Sequence, residues 1–104
     1  MTRYVYLITV NAVEGQDAEL NRWLDEHHIP EVLRTEGFLS ARRFVVSPED
    51  AGNPKALRYM HMYEIETDDL QKTKDLLAAG RDTRTPLTPA MDMASLSAVF
   101  YKAR

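Results

Sequence analysis

Residues 4–10 read Tyr-Val-Tyr-Leu-Ile-Thr-Val, a run that is apolar or aromatic on both of its alternating sides. One side carries Tyr4, Tyr6, Ile8 and Val10, and the other carries Val5, Leu7 and Thr9. Because side chains alternate across a strand, a strand of this pattern needs cover on both faces of its sheet. Residues 3–11 therefore predict a strand that is buried on both sides.

An amphipathic helix is predicted next, over residues 16–28. Its apolar stripe is formed by Leu20, Trp23, Leu24 and His27. Pro30 disfavours helical geometry at Ile29, so the helix should end or kink there, and a short further turn should stop at Gly37. The pair His27 and His28 is thereby predicted to lie at a helix end.

Two strands are predicted after Gly37, at residues 38–46 and 57–65. Between them, residues 47–56 contain two prolines and a glycine and are expected to form an exposed connection. The two strands should pair as an antiparallel hairpin.

A second helix is predicted directly after the third strand. Thr67 is a suitable N-cap, and Gly80 suits the position that follows the helix. Residues 81–92 contain two prolines and predict a loop, and residues 95–101 alternate as a fourth strand.

The resulting order is β-α-β-β-α-β, which right-handed crossovers convert into a four-stranded antiparallel sheet with both helices on one face. The bare face would carry apolar side chains of strands one, three and four, and so large a patch needs cover. A second copy of the chain covers it with one self-complementary surface, so we expect a homodimer.

Length and composition narrow the class of protein. A chain of 104 residues suits one domain, residues 1–104, and the hydrophobic share of 44% is that of an ordinary folded protein. The chain has no cysteine, a net charge of -3 and no export signal, so a cytoplasmic protein is expected. Its lysines and arginines form no concentrated stripe, so neither nucleic acid nor membrane is an expected partner.

The segment Trp-Leu-Asp-Glu-His-His-Ile-Pro-Glu-Val-Leu at 23–33, followed by Gly37-Phe38 and Arg42-Arg43-Phe44, resembles a known family pattern. The chain is similar to the ferredoxin-like dimeric α+β barrel superfamily, in particular its EthD-like and antibiotic-biosynthesis-monooxygenase-like members. This resemblance implies two sheets that form one barrel, with a pocket in each protomer between the sheet and helix one. The histidine before x-Pro, here His28, would be the pocket residue. Because members catalyse several reactions, the fold does not select one.

His28 is the first candidate for a general base, because imidazole titrates near neutrality and can take a proton from a carbon acid or a phenol. A helix-terminal histidine that hydrogen-bonds the last carbonyls is the alternative. His27 lies between Trp23 and Leu24 on a helical wheel and could also line the pocket, although the family pattern does not require it.

His61 is the third histidine and lies in the middle of predicted strand three. Tyr59 and Tyr63 share its alternating side, whereas Met60 and Met62 point the other way. We expect the methionines to pack on the helices, and His61 and Tyr63 to line the barrel as hydrogen-bonding groups. A satisfied buried histidine at the dimer interface is the alternative.

Arg43 is a candidate for holding an acidic group of a substrate, because Arg42 and Arg43 point to opposite faces and only one can look inward. Solvated arginines on an edge strand are the alternative. Trp23 is expected to anchor the core and to wall the pocket. His27 and His28 do not form a chelating pair, and no phosphate loop or dinucleotide motif occurs, so neither a metal nor another cofactor is expected.

These residues favour a cofactor-independent enzyme that uses histidine acid/base chemistry on an apolar, aromatic or lactone-like metabolite. Its reaction would be an isomerisation, cyclisation, dehydration or elimination. The alternatives are a cofactorless oxygenase of a phenolic substrate, a non-catalytic ligand-binding dimer, and a purely structural dimer.

Overall fold

The computed structural model describes all residues, 1–104, and contains one four-stranded antiparallel sheet. Its strands are β1 (Thr2–Ala12), β2 (Phe38–Val45), β3 (Tyr59–Thr67) and β4 (Met91–Lys102). They are arranged in the order β2-β3-β1-β4, with β3 and β1 in the centre. The predicted β-α-β-β-α-β order and the ferredoxin-like class are confirmed.

The first helical region is continuous but irregular. Helix α1 (Asp17–Trp23) passes into a π-helical turn (Leu24–His28) and then into α2 (Ile29–Val32). The distortion expected before Pro30 is thus a widened turn, because a proline inside a regular helix lacks its N–H and clashes with the carbonyl four residues earlier. None of the helices is long and apolar enough to cross a membrane.

Helix α3 (Leu70–Ala79) begins later than predicted. Its N-cap is Asp69, whose side chain accepts a hydrogen bond from the Lys72 amide at 3.1 Å. Thr67 instead accepts a hydrogen bond from the Asp69 amide at 3.2 Å, so its hydroxyl holds the turn that precedes the helix. Gly80 follows the helix with a φ of -78°, in the right-handed and not the left-handed region.

Strand β4 is longer than predicted. Pairing of β1 with β4 shifts register between Thr9 and Asn11 and then continues to the pair Ala12 and Met91. A bulge of this kind allows a strand to resume pairing after an irregular step, so the strand begins within the stretch predicted as a loop.

The register also decides which strand residues face the helices. His61 pairs with Ile8, and Tyr63 with Tyr6, so both lie on the side of the sheet where Ile8 and Val10 are buried beneath the helices. The expectation that His61 and Tyr63 line the barrel is therefore wrong, since residues opposite one another in a sheet share one face. The other face, called the open face below, carries Val5, Leu7, Phe44, Met60, Met62, Val99 and Tyr101.

The core lies between the sheet and the first helical region. Its most completely buried side chains are Val10, Leu20, Leu24, Tyr63 and Ile65. The chain enters β2 through Gly37, whose φ of +95° is in the left-handed region. A Cβ atom there would lie 3.3 Å from the Glu66 carbonyl oxygen. Any other residue at position 37 would therefore have a strained backbone and a crowded side chain.

Candidate functional site

Three polar rings from two elements meet between the sheet and the first helical region. His61 and Tyr63 project from β3 and are 2% and 1% exposed. Their rings are in edge contact, with centroids 5.5 Å apart. His28 projects from the π-helical turn, half-buried, and stacks on Trp23 at 4.5 Å. We call His28, His61 and Tyr63 the His–Tyr cluster.

The π-helical turn explains which histidine reaches this cluster. A π-helical turn contains more residues than an α-helical turn, and here His28, five residues after Trp23, stacks on the Trp23 ring. In a regular α-helix, with about 3.6 residues per turn, His27 would lie on the same side as Trp23, as the helical wheel indicated. His27 is instead exposed, and its predicted contribution to the pocket is wrong.

Buried polar atoms without partners mark the site. His61 Nδ1, the Tyr63 hydroxyl and Arg43 Nε are all buried, and none makes a hydrogen bond. Arg43 and His61 are cross-strand neighbours in the β2–β3 pairing, so all three atoms lie on the helix-facing side. Nine in ten or more buried backbone polar groups, and the large majority of side-chain ones, are satisfied in proteins, so three unpaired atoms in one region indicate a place for a polar ligand.

The cluster is uncharged at neutral pH. Burial lowers the pKa of His28 to about 4, and the positive charge of Arg84 adds to this shift. Burial, His28 and Arg43, in that order, lower the pKa of His61 to about 4. Burial also raises the pKa of Tyr63 far above its ordinary value. Neutral imidazoles and a neutral phenol can donate and accept hydrogen bonds. The charges that act on the two histidines come from Arg43 and Arg84 and, with the opposite sign, from Asp25 and Glu31.

Arg43 faces the helices, whereas Arg42 lies on the open face over the Phe44 ring. The two terminal nitrogens of Arg43 are already engaged, with Asp25 Oδ1 at 3.0 Å and Asn21 Oδ1 at 2.7 Å. The Arg43 guanidinium therefore joins β2 to α1 and to the π-helical turn. Only its Nε is left for the predicted role of binding an acidic group of a substrate.

Tyr59 lies at the edge of the site. Its hydroxyl donates a hydrogen bond to Asp17 Oδ2 at 2.7 Å, and its ring lies beneath the Arg43 guanidinium at 5.8 Å. Trp23 is buried, and its indole N–H donates to the Pro86 carbonyl at 2.9 Å. Trp23 thus anchors the segment after α3 to the helix and forms a wall beside His28.

Sequence reasoning missed three residues beside the cluster. Tyr6 stacks with Tyr63 at 5.9 Å and with Phe100 at 3.9 Å between ring centroids. The alternating pattern of β1 could have found Tyr6, since it shares a side with Ile8. Arg84 lies in the irregular segment after α3 and carried no periodic signal.

None of the four principal clefts on the protein is lined by a residue of the His–Tyr cluster. A ligand that reaches the cluster from one of these four clefts would displace side chains or the segment that Trp23 anchors.

Acidification is expected to destabilise the fold through the buried histidines. Both have a folded pKa of about 4, below the ordinary value of 6.5, so the unfolded chain binds more protons between these limits. The free energy of unfolding should fall as the pH drops through this window, by up to about 1.4 kcal/mol per pH unit for each histidine. Urea unfolding at about pH 7 and about pH 5 measures this. His61→Phe should reduce the pH dependence and His27→Gln should not. Equal pH dependence in His61→Phe would contradict the assignment.

The fold and site define the class of protein. By fold the chain is similar to the haem degrader MhuD of Mycobacterium tuberculosis, whose structure was solved with two haems in its active site. The TM-score is 0.63 at 18% sequence identity, and the match covers 96% of this chain and 94% of MhuD. A putative monooxygenase from Shewanella loihica has a TM-score of 0.61 at 13% identity over 100% and 97% of the two chains. An EthD-family protein from Bacillus halodurans has a TM-score of 0.59 and 12% sequence identity, and the match covers 100% of both chains. The protein has a ferredoxin-like fold, similar to the folds of these EthD-family and monooxygenase-like structures.

The particular family follows from the sequence. A family model described as "Domain of unknown function (DUF4286)" matches residues 3–74, and the chain belongs to that family. No curated protein matches the chain by sequence.

Proposed function

We propose that the protein is a cofactor-independent enzyme that binds a small aromatic or lactone-like molecule between the sheet and the first helical region. The observation that carries this proposal is the set of buried, unpaired polar atoms at His61, Tyr63 and Arg43. Aromatic side chains surround them, which suits a ligand with an apolar body and one or two oxygens. The proposed reaction begins with proton transfer from that ligand.

In the proposed mechanism His28 accepts the proton. Its ring packs on Trp23, and a flat substrate could take the place of part of that contact. The hydroxyl of Tyr63 and the unpaired nitrogen of His61 would donate or accept hydrogen bonds at the oxygen on which negative charge develops. A return of the proton to another atom would complete an isomerisation, and departure of a leaving group would complete an elimination.

The low pKa of His28 is compatible with this role. Burial disfavours a lone imidazolium, but proton transfer creates an imidazolium and a substrate anion side by side, and each favours the charged form of the other. The charge of Arg84, which adds to the lowering of the His28 pKa, also stabilises the substrate anion. The cluster would therefore remain neutral until a substrate with an acidic proton is present.

A cofactorless oxygenase is the second candidate, and the fold relatives favour it. The Shewanella loihica protein is described as a putative monooxygenase and the Mycobacterium tuberculosis protein as a haem degrader. In this version the same deprotonation yields an electron-rich phenolate that reacts with dioxygen. Consumption of oxygen separates this reaction from an isomerisation.

We also propose that residues 1–104 form one domain that acts as a cytoplasmic homodimer. The open face supports this, because Val99 and Tyr101 are 41% and 54% exposed in a single chain and adjoin Leu7 and Met62. Covering this apolar surface with a second copy removes it from water. A structural relative from Thermobifida fusca is described as a dimeric ferredoxin-like protein.

A ligand screen with three readouts tests the proposed function. Trp23 is the only tryptophan and stacks on His28, so its fluorescence should report binding of phenols, enols, lactones or porphyrins. Deuterium incorporation from solvent reports proton transfer, and an oxygen electrode reports oxygenation. We expect saturable binding with deuterium incorporation for at least one ligand class, and weaker binding in Tyr63→Phe. Binding without turnover of any ligand would support a non-catalytic dimer, and no binding at all would refute the site.

A further inference from the structure

Arg84 is a partly buried cation without an anionic partner. Arg43 and Arg84 are the two arginines that are not exposed, and Arg43 is paired with Asp25. Arg84 makes no ion pair, and its one side-chain hydrogen bond is donated by Nη2 to the Leu77 carbonyl at 2.9 Å. A partly buried charge is costly unless it is paired, so an unpaired guanidinium indicates that an anion binds there.

A cleft of about 290 Å³ lies beside Arg84, between the end of α2 and the end of α3. We call it the Arg84 cleft. Its walls include Glu31, Arg34, Leu76, Gly80, Thr83 and Arg84. The volume is at the lower end of the range usual for small-molecule sites.

Two carboxylates line this cleft, Glu31 and Glu36, and neither forms an ion pair with Arg84. The two oxygens of Glu31 accept hydrogen bonds from the Thr85 amide and the Thr85 hydroxyl, both at 2.6 Å. Glu31 therefore holds the segment that carries Arg84 and forms no ion pair with it. The Arg84 fork retains free N–H groups for an external acid.

Gly80 leaves room for the guanidinium. A Cβ atom on Gly80 would lie 3.0 Å from Arg84 Nη1, closer than nine in ten Cβ contacts in proteins. The glycine has an ordinary helical φ of -78°, so backbone conformation does not require it. A side chain at position 80 would therefore displace the Arg84 guanidinium by a few tenths of an ångström.

Arg84 also connects the cleft to the His–Tyr cluster. Its charge acts on the pKa of Tyr6, His28 and Tyr63, in each case beside the larger effect of burial. The same side chain lines the Arg84 cleft. Pro86, two residues after Arg84, accepts the indole hydrogen bond of Trp23, and Trp23 stacks on His28. The cleft and the cluster are therefore joined through the segment that Trp23 anchors.

We propose that the Arg84 cleft is the entrance to the site and that Arg84 binds the carboxylate of an aromatic acid whose ring reaches the His–Tyr cluster. This inference rests on the proposed function and names its substrate class as aryl carboxylates. A planar guanidinium with free donors matches a carboxylate bidentately, which a neutral amide of the same shape cannot reproduce.

Calorimetric titration with 2-naphthoate and 2-naphthamide tests the inference, because the two probes have similar shape and differ in charge. The wild type should bind the acid at least about tenfold more tightly than the amide. Arg84→Gln should abolish that preference and leave the affinity for the amide unchanged. Arg104→Gln, which removes the same charge at an exposed site, should retain it.

A second variant, Gly80→Ala, keeps the charge but displaces the guanidinium. It should reduce the preference for the acid several-fold, with an unchanged unfolding temperature as the check on folding. Equal binding of both probes by the wild type, or an undiminished preference in Arg84→Gln, would overturn the role of Arg84 and leave the proposed site standing. Binding of neither probe would overturn the role of Arg84, and the wider ligand screen would then decide the proposed function separately.

Discussion

Replacing His28 by glutamine is expected to lower kcat on any substrate found in the screen by at least about 100-fold, the contribution usual for a general acid or base. Glutamine retains a polar side chain of similar size but cannot accept a proton at neutral pH. The activity of the wild type should remain constant as the pH is lowered past 6.5, the ordinary pKa of histidine. It should decline only as the pH approaches the His28 pKa of about 4, because the imidazole must be neutral to act as a base. Steady-state kinetics between about pH 4 and about pH 8 measure both effects.

His27→Gln is the matched control for this experiment. His27 is the adjacent histidine, but it is exposed and lies outside the cluster. We expect it to leave kcat unchanged. If His28→Gln turned over substrate at the rate of the wild type, the assignment of His28 as the base would be wrong, and His61→Gln would then identify the remaining histidine as the base or eliminate it.

Placing a lysine at Met62 is expected to convert the proposed dimer into monomers. Met62 lies on β3, opposite Leu7 of β1, in the middle of the open face. A stable dimer usually buries on the order of 800 Å² per partner, and a charge without a partner at its centre costs several kcal/mol. Light scattering should give twice the chain mass of 11.9 kDa for the wild type and 11.9 kDa for Met62→Lys.

Gln71→Lys adds the same charge on an exposed face of α3 and should remain dimeric. Circular dichroism distinguishes a folded Met62→Lys monomer from an unfolded chain. A wild-type mass of 11.9 kDa at micromolar concentration would refute the homodimer.

Local sequence patterns were sufficient for the order of the elements. The pattern of β1 predicted a strand in need of cover on both faces, and Pro30 predicted the irregular helix before it. The family pattern selected His28 over His27, against the regular helical wheel. Each of these features depends on residues that are close together in the chain, so it can be read from the sequence without knowledge of the fold.

Tertiary structure decided the side of the sheet on which β3 presents His61 and Tyr63. Both alternating sides of β3 carry large side chains, so composition alone could not distinguish them. The register with β1 did so, because opposite residues share a face and Ile8 lies beneath the helices.

The sequence by itself determined the order of elements of a ferredoxin-like sheet and a first helical region distorted before Pro30, where His28 lies. The fold alone brought Arg43 of a neighbouring strand opposite His61, and it placed Arg84, from a segment without periodicity, where its charge lowers the His28 pKa. Pairing and loop contacts join residues that are far apart in the chain, and no local pattern records such contacts. For this reason the position of the site was partly predictable, whereas its charges and unpaired atoms were not.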